Sequence, residues 1–283
     1  MPINLFTTLS AAYRFLWQNP RDLCLYAFLP VLIVAFVQIA GLWATGDWML
    51  YFDPPARPEP GRALDPVVLS EIAPADAIAW VTNMIASFVA YVMFAVAWFR
   101  RYLVGPEGTT VGAAMRWGPR HWRFVGRFFT LVGMILLLAV LFNIPLSLIS
   151  TANPMVEIFV RAGVVIAMLL IASRLFLVLP ATAIDETVGF RDAATLTTGR
   201  SWYMLGIYLF SLIPALLALV IVARIFSGAI APAVGSSLTL LFIAILVQQS
   251  IMFISIASQV TALAVAYRAL GAGAQPPPAT TSV

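Results

Sequence analysis

The sequence predicts an all-α membrane protein with six transmembrane helices. Of its 283 residues, 62% are hydrophobic and only 10% are charged, and the mean hydropathy is +0.97. Soluble domains carry about 25% charged residues, so the polar residues here are too few to cover a water-soluble globule. Apolar runs of about 20 residues, enough to cross a bilayer core, recur along the chain. They do not alternate in polarity as the strands of a membrane barrel do.

Six segments are long enough to span the bilayer. Five carry no charge: Leu23–Ala44, Ala77–Phe99, Phe128–Ile149, Tyr203–Ala223 and Leu238–Ala266. The sixth, Met155–Pro180, carries Glu157 and Arg161 near one end and Arg174 near the other. The first segment exceeds the roughly 7–15 apolar residues of a signal-peptide core, so we expect it to be retained as a transmembrane helix.

The distribution of arginine predicts the orientation. All sixteen basic residues are arginine, and cytoplasmic loops are enriched in positive charge. With the N-terminus inside, the cytoplasmic segments hold twelve of them: Arg14, Arg21, Arg100, Arg101, Arg116, Arg120, Arg123, Arg127, Arg174, Arg191, Arg200 and Arg268. We therefore expect both termini in the cytoplasm.

Two segments outside the spans have distinctive compositions. The loop Thr45–Asp76 contains six prolines, which predicts extended or irregular backbone; it is either an inert spacer or a docking loop for a partner. The tail, residues 271–283, has no apolar periodicity, and we expect it to be disordered. The remaining residues, 1–270, are expected to form a single six-span domain.

An amphipathic helix is predicted before the first span. Within Ile3–Gln18, apolar residues recur at helical spacing: Phe6, Leu9, Tyr13, Leu16 and Trp17. Such a helix is suited to the plane of the membrane interface.

Two later segments repeat a pattern at a distance of eighty residues. The matching positions are Ala113-Ala114 with Ala193-Ala194, Arg120 with Arg200, Trp122 with Trp202, and Gly126 with Gly206. Each segment leads directly into a span, and the N-terminal helix echoes the pattern faintly. We therefore predict three repeats, residues 3–100, 107–180 and 187–270, each a cytoplasmic interfacial helix followed by a two-span hairpin. In this arrangement tryptophans anchor at headgroup depth and arginines meet phosphates or helix ends.

The stretch before the fifth span resembles a known family signature. Its motifs are Leu177-Val178-Leu179-Pro180, Asp185-Glu186, Phe190-Arg191-Asp192-Ala193 and Arg200-Ser201-Trp202. They resemble the membrane domain fused to some bacterial glycerophosphoryl diester phosphodiesterases and the related YciC-like inner-membrane proteins. The resemblance implies an accessory module of the bacterial inner membrane. Catalysis in those phosphodiesterases resides in a separate soluble barrel, so no catalytic residue is carried over.

The composition excludes several chemistries. A single cysteine, Cys24, and a single histidine, His121, cannot form a zinc cluster, and the absence of lysine excludes a Schiff base. We find no phosphate-binding or dinucleotide-binding glycine motif. We therefore expect no enzyme activity, no catalytic residue, no cofactor and no metal. The basic segment Arg116–Arg127 could attract nucleic acid by charge, but its place beside a span favours anionic lipid headgroups, and we expect no nucleic-acid partner.

The candidate contact residues for lipid or partner are Arg120, Trp122, Arg174, Arg200 and Trp202. Arg174 lies within the fourth span, where ionisable groups are costly and suggest function. It can extend to headgroups or pair with Asp185, Glu186 or Asp192, or it can bind an anionic substrate such as a lipid phosphate.

The last span presents a polar face with Gln248, Ser255 and Gln259 at helical spacing. These side chains either hydrogen-bond between helices or line a polar pathway. The leading interpretation of the whole chain is a non-catalytic inner-membrane module that organises lipid or a membrane protein partner, including a second copy of itself. The alternative is a small transporter or lipid-translocating protein that uses Arg174 and this polar face.

Overall fold

The computed structural model describes residues 4–46, 74–106, 110–114, 116–148, 154–225 and 238–271. Within these ranges the chain is helical, and no strand is found. The helices are α1 Leu5–Gln18, α2 Pro20–Thr45, α3 Pro74–Leu103, α4 Val111–Ala114, α5 Pro119–Leu148, α6 Pro154–Leu175, α7 Val178–Ala183, α8 Phe190–Leu196, α9 Ser201–Ile225 and α10 Leu238–Ala269. Six helical segments are long and apolar enough to cross a membrane. The predicted fold class, an all-α membrane protein, is confirmed.

Helix α1 begins at Leu5, inside the predicted segment Ile3–Gln18, because the Asn4 side chain caps it by accepting a hydrogen bond from the backbone N–H of Phe6. The predicted apolar face is divided between two environments. Leu9 and Leu16 are buried against other helices, whereas Phe6 and Trp17 are exposed. The helix therefore packs against the protein and leaves two large aromatic side chains uncovered.

Hydroxyl groups hold α1 on α9. The Thr8 and Tyr203 hydroxyls are 2.7 Å apart, and the Tyr13 hydroxyl donates to the Ser211 carbonyl at 3.2 Å. Burial raises the pKa of Tyr13, more than its hydrogen bond with Ser258 lowers it. The phenol consequently stays protonated and remains a donor at physiological pH.

The repeated Arg-x-Trp segments differ from the predicted interfacial helices. Residues from Pro119 onward belong to α5 itself, and Trp202 lies in the first turn of α9. Trp122 and Trp202 therefore belong to the long helices, because no residue between Pro119 and the apolar run stops a helix. The separate helices described before these two spans are the shorter α4 and α8. Proline is favourable at a first helical position, and Gly126 costs only about 1 kcal/mol. The basic segment therefore extends the span.

The fourth span covers Met155–Ala183, which includes the whole predicted segment, but a turn interrupts its helix. Helix α6 stops at Leu175, and α7 begins at Val178 after a turn. Proline lacks an N–H group and its ring collides with the carbonyl four residues earlier, which for Pro180 is that of Phe176. The chain instead makes a tighter turn in which the Leu179 N–H donates to the Phe176 carbonyl at 3.0 Å. This break separates α7 from the long helix before it.

The chain divides into two compact units. The first consists of Met1–Pro20, Ala95–Ile213 and Ala257–Val283. Its core is a buried apolar cluster contributed by α1, α7, α8, α9 and α10: Leu9, Ala12, Leu177, Val178, Ala181, Ala193, Met204, Ile207, Ala262, Ala266 and Tyr267. Trp98, fully buried, donates from its indole N–H to the Thr261 hydroxyl at 2.8 Å.

The second unit consists of Arg21–Phe94 and Pro214–Ile256. Ala35 of α2 packs against Leu241 and Ile245 of α10. The amide of Gln249 donates to the Gln38 side-chain carbonyl at 2.8 Å, which satisfies both groups within apolar surroundings.

Two predictions concern residues that lie largely outside the described ranges. Most of the proline-rich loop, residues 47–73, and the tail, residues 272–283, are not described. The single domain over residues 1–270 and its three repeats stay predictions.

Replacing Trp98 with alanine should destabilise the first unit. The substitution removes a fully buried indole and its hydrogen bond to Thr261, and truncations of this kind cost about 3–5 kcal/mol. The matched control is Trp80→Ala, on the same helix but 66% exposed. Thermal unfolding in detergent should show a much lower midpoint temperature for Trp98→Ala and almost no change for Trp80→Ala. Equal decreases in the two variants would contradict the burial of Trp98.

Candidate functional site

The candidate site is centred on Asp185, which follows α7. Its φ of 66° is in the left-handed region, where non-glycine residues are uncommon. The Asp185 N–H donates to the Thr182 carbonyl at 3.3 Å, and the Glu186 N–H donates to the Ala181 carbonyl at 2.9 Å. These two bonds form the Schellman motif that ends many helices, with aspartate in the place usually taken by glycine. The motif fixes the direction of the Asp185 side chain.

Three arginines surround the Asp185 carboxylate. Arg123 contacts Oδ1 at 2.7 Å, while Arg120 contacts Oδ2 at 2.8 Å and Arg100 contacts it at 3.5 Å. Arg100 also donates to the Ala183 carbonyl at 3.3 Å, at the C-terminal end of α7. The cluster therefore joins α3, α5 and α7. The Asp185 carboxylate balances only one of the three arginine charges, so the cluster retains a net positive charge.

Opposing effects act on the pKa of Asp185. Burial of the side chain acts to raise it, whereas the hydrogen bond and charge of Arg120 and the charges of Arg123 and Arg100 lower it. The arginines prevail, and the pKa lies below its ordinary value of 3.8. Asp185 is therefore ionised at any physiological pH.

An open cleft of about 610 Å³ adjoins this cluster. Its lining includes Arg123, Gly126 and Arg127 of α5, together with Glu186 and Phe190. The Arg127 guanidinium lies over the Phe190 ring, 5.6 Å from the centroid. The Glu186 carboxylate accepts a hydrogen bond from the Tyr267 hydroxyl. Neither Arg127 nor Glu186 has an ion-pair partner among the described residues.

Of the predicted contact residues, only Arg120 belongs to the cluster. Trp122 and Trp202 are 65% and 68% exposed, in the first turns of α5 and α9. Arg200, immediately before α9, is also exposed. The two tryptophans present their indoles away from the core, as side chains that meet lipid or a partner do.

Arg174 contacts α8 and not one of the three carboxylates that the sequence offers as partners. It donates to the Thr197 hydroxyl at 3.1 Å and to the Ala194 carbonyl. Both acceptors lie at the C-terminal end of α8, where a positive charge is stabilising. The guanidinium thus caps α8, and these contacts take the place of the expected pairing with Asp185, Glu186 or Asp192.

The polar residues of α10 are not collected in one environment. Ser255 is buried, Gln248 and Gln259 are half-buried, and the intervening Met252 is exposed. Their neighbours bond between helices: Ser258 donates to the Ser211 carbonyl at 2.8 Å, and Gln249 bonds as described above.

A second pocket, of about 270 Å³, lies in the other compact unit. Its lining includes Gln38 of α2 and Asp76, Trp80 and Asn83 of α3. The side-chain oxygen of Asn83 is buried and has no hydrogen-bond partner among the described residues.

Sequence reasoning missed the grouping around Asp185, although it noted each member. Asp185 was noted as part of the Asp185-Glu186 motif and as a partner for Arg174, but not as a partner for the arginines of α3 and α5. The available signal was the scarcity of carboxylates on the arginine-rich side, which makes it favourable for one carboxylate to pair with several arginines. Which arginines contact Asp185 depends on how closely α3 and α5 pack against the end of α7.

Comparisons with known proteins identify no relative: no family model, curated protein or solved structure matches the chain.

Asp185→Asn should lower stability and change its dependence on pH. Asparagine adopts the left-handed backbone as readily as aspartate, so the substitution removes the charge and preserves the turn. Because the folded-state pKa of Asp185 is lowered, its stabilisation is present above the ordinary pKa and is lost as the pH falls through the folded value. We expect a loss of roughly 1–2 kcal/mol near pH 7 and a flatter pH profile below about pH 4.

Melting curves in detergent between about pH 2 and pH 7 measure this profile. Asp76→Asn serves as the control, since Asp76 has no ion pair within the described segments and lies in the other unit. If Asp185→Asn still loses stability steeply as the pH falls, the arginine cluster does not cause that pH dependence.

Proposed function

We propose that the chain is a non-catalytic membrane module that organises lipid, or a membrane protein partner, at the headgroup layer on one side of the bilayer. The observation that carries this proposal is the positively charged cluster of Arg100, Arg120 and Arg123 on Asp185, with an open cleft beside it. Clusters of basic groups at helix ends attract lipid phosphates. The cleft lies at the boundary of the predicted third span, whose apolar run begins at Phe128.

Exposed aromatic side chains support the same proposal. Trp122 and Trp202 start two of the long helices, and Trp17 ends α1. Tryptophan is enriched at membrane interfaces because its ring is apolar and its N–H is polar. These side chains would anchor one end of the helices among headgroups.

The distribution of arginine supports a cytoplasmic position for this end of the molecule, with both termini inside. The resemblance to YciC-like proteins and to the membrane domain of glycerophosphoryl diester phosphodiesterases supports a bacterial inner-membrane location and an accessory role. Within this proposal anionic headgroups, a membrane protein or a second copy of the chain are the partners.

Alanine at Trp122 and Trp202 should release bound lipid or partner. Both indoles are exposed, so their removal leaves the core intact while weakening attachment at the interface by about 1–2 kcal/mol each. Native mass spectrometry of protein extracted in its own lipids measures the adducts. Trp80→Ala, equally exposed but near the other end of α3, is the matched control.

The expected result is loss of adducts from the double variant and their retention in Trp80→Ala. Unchanged lipid and partner content in the Trp122→Ala, Trp202→Ala protein would refute the proposed function.

The pocket around Asn83 favours a second candidate, a small transporter or lipid-translocating protein. A buried carbonyl oxygen without a donor is costly in apolar surroundings, and a passing ligand with an N–H or O–H group would satisfy it. On this hypothesis Asn83→Ala and Gln259→Ala abolish a flux measured in vesicles without unfolding the protein. Asn143→Ala is the control, because Asn143 is exposed and bonds to its own helix. The capping contacts of Arg174 predict that Arg174→Ala lowers stability instead.

A further inference from the structure

The two segments that share the Arg-x-Trp pattern both keep a glycine, but the surroundings of that glycine differ. A Cβ atom at Gly206 of α9 would lie 3.2 Å from the side chain of Leu5, so α1 covers this position. At the matching Gly126 of α5 no atom lies within 4 Å of that point. Gly126 instead lines the open cleft. The surface that α1 occupies on one segment is therefore left vacant on the other.

The vacant surface carries one unpaired charge of each sign. Arg127 contacts the Phe190 ring, and Glu186 accepts from Tyr267, but within the described chain neither forms an ion pair. Asp185, by contrast, already has three arginines. A ligand that offers only negative charge would pair with Arg127 but leave Glu186 unmatched. A ligand with both an anionic and a cationic group would match both.

Resting on the proposed lipid-organising function, we propose that this cleft binds the phosphoethanolamine group of a zwitterionic phospholipid. The phosphate lies against Arg127 and Arg123, and the primary ammonium donates to the Glu186 carboxylate oxygen that Tyr267 leaves free. Arginine suits phosphate because its planar fork donates two parallel hydrogen bonds. A volume of about 610 Å³ lies within the range of small-molecule sites.

The surface of α5 provides a path for the acyl chains. Beyond the cleft the helix exposes large apolar side chains: Phe129, Met134, Leu136 and Leu137. A phospholipid with its headgroup in the cleft can therefore lay its chains along the apolar part of α5, where exposed apolar side chains face hydrocarbon.

The test uses the full chain in nanodiscs that contain equal amounts of phosphatidylethanolamine, phosphatidylglycerol and phosphatidylcholine, with native mass spectrometry of the retained lipid. We expect phosphatidylethanolamine to be retained preferentially. Phosphatidylcholine should be weaker, because its quaternary ammonium has no N–H to donate to Glu186. Equal retention of the three lipids, or a preference for phosphatidylglycerol, would overturn the inference.

Filling the cleft provides the sharpest variant. Gly126→Leu adds a side chain whose Cβ atom has no other atom within 4 Å, and leucine favours helix over glycine by up to about 1 kcal/mol, so the protein should fold. We expect it to lose the preferred lipid. Gly163→Leu is the matched control, since Gly163 of α6 has equally open surroundings but lies outside the cleft lining and outside the proposed path of the acyl chains. Equal retention by these two variants would refute the site.

Charge-removing variants separate the two halves of the headgroup. Glu186→Gln can still accept from Tyr267, and it should reduce the ratio of phosphatidylethanolamine to phosphatidylglycerol about tenfold, the size of one charge-assisted hydrogen bond. Arg127→Gln should weaken retention of both lipids. Glu157→Gln and Arg191→Gln, which change charged residues outside the cleft lining, should leave the ratio unchanged. An unaltered ratio in Glu186→Gln would contradict the assignment of the ammonium.

Further outcomes distinguish an intact lipid from a free headgroup as the ligand, and the phosphoethanolamine site from the proposed lipid-organising function. Displacement of the lipid by free glycerophosphoethanolamine at millimolar concentration would identify a soluble headgroup as a ligand as well, and no displacement would identify the intact lipid. Retention of lipid without headgroup preference would overturn this inference but preserve the proposed function. Absence of any retained lipid or partner would overturn both.

Discussion

The structure depends on the sharing of one carboxylate by three arginines at the end of the long helices. Charged groups close to hydrocarbon must be paired or reach water, and Asp185 pairs Arg100 of α3 with Arg120 and Arg123 of α5. The same contacts hold three helix ends together and leave the group with net positive charge. Structural pairing and the proposed attraction for a phosphate therefore depend on one arrangement.

Two local features of the backbone place Asp185 in that position. Pro180 cannot continue α6, so the chain turns and forms the short helix α7. That helix ends in a Schellman motif whose left-handed residue is aspartate, at a cost of about 1–2 kcal/mol relative to a right-handed conformation. The cost is offset by the ionic hydrogen bonds that its carboxylate accepts. A glycine would relieve the strain but would have no side chain to bind the arginines.

The repeated segments show how similar sequences acquire different environments. Arg120 lies in an ion-pair cluster, whereas Arg200 is exposed. Gly206 is covered by Leu5 of α1, whereas Gly126 is open. The difference comes from a helix elsewhere in the chain, which covers one copy of the motif and not the other. Similarity between the copies therefore says nothing about which of them is available to a ligand.

The sequence by itself determined the fold class and the positions of the long helices, because hydrophobicity and helical period are properties of neighbouring residues. It also singled out Trp122 and Trp202, which the structure leaves exposed. Only the tertiary structure decided which face of α1 is buried, that Arg174 caps α8, and which arginines meet Asp185. Arg123 and Arg100 lie 62 and 85 positions from Asp185. Such partners are chosen by the approach of separate helices, and no local pattern in the sequence records that approach.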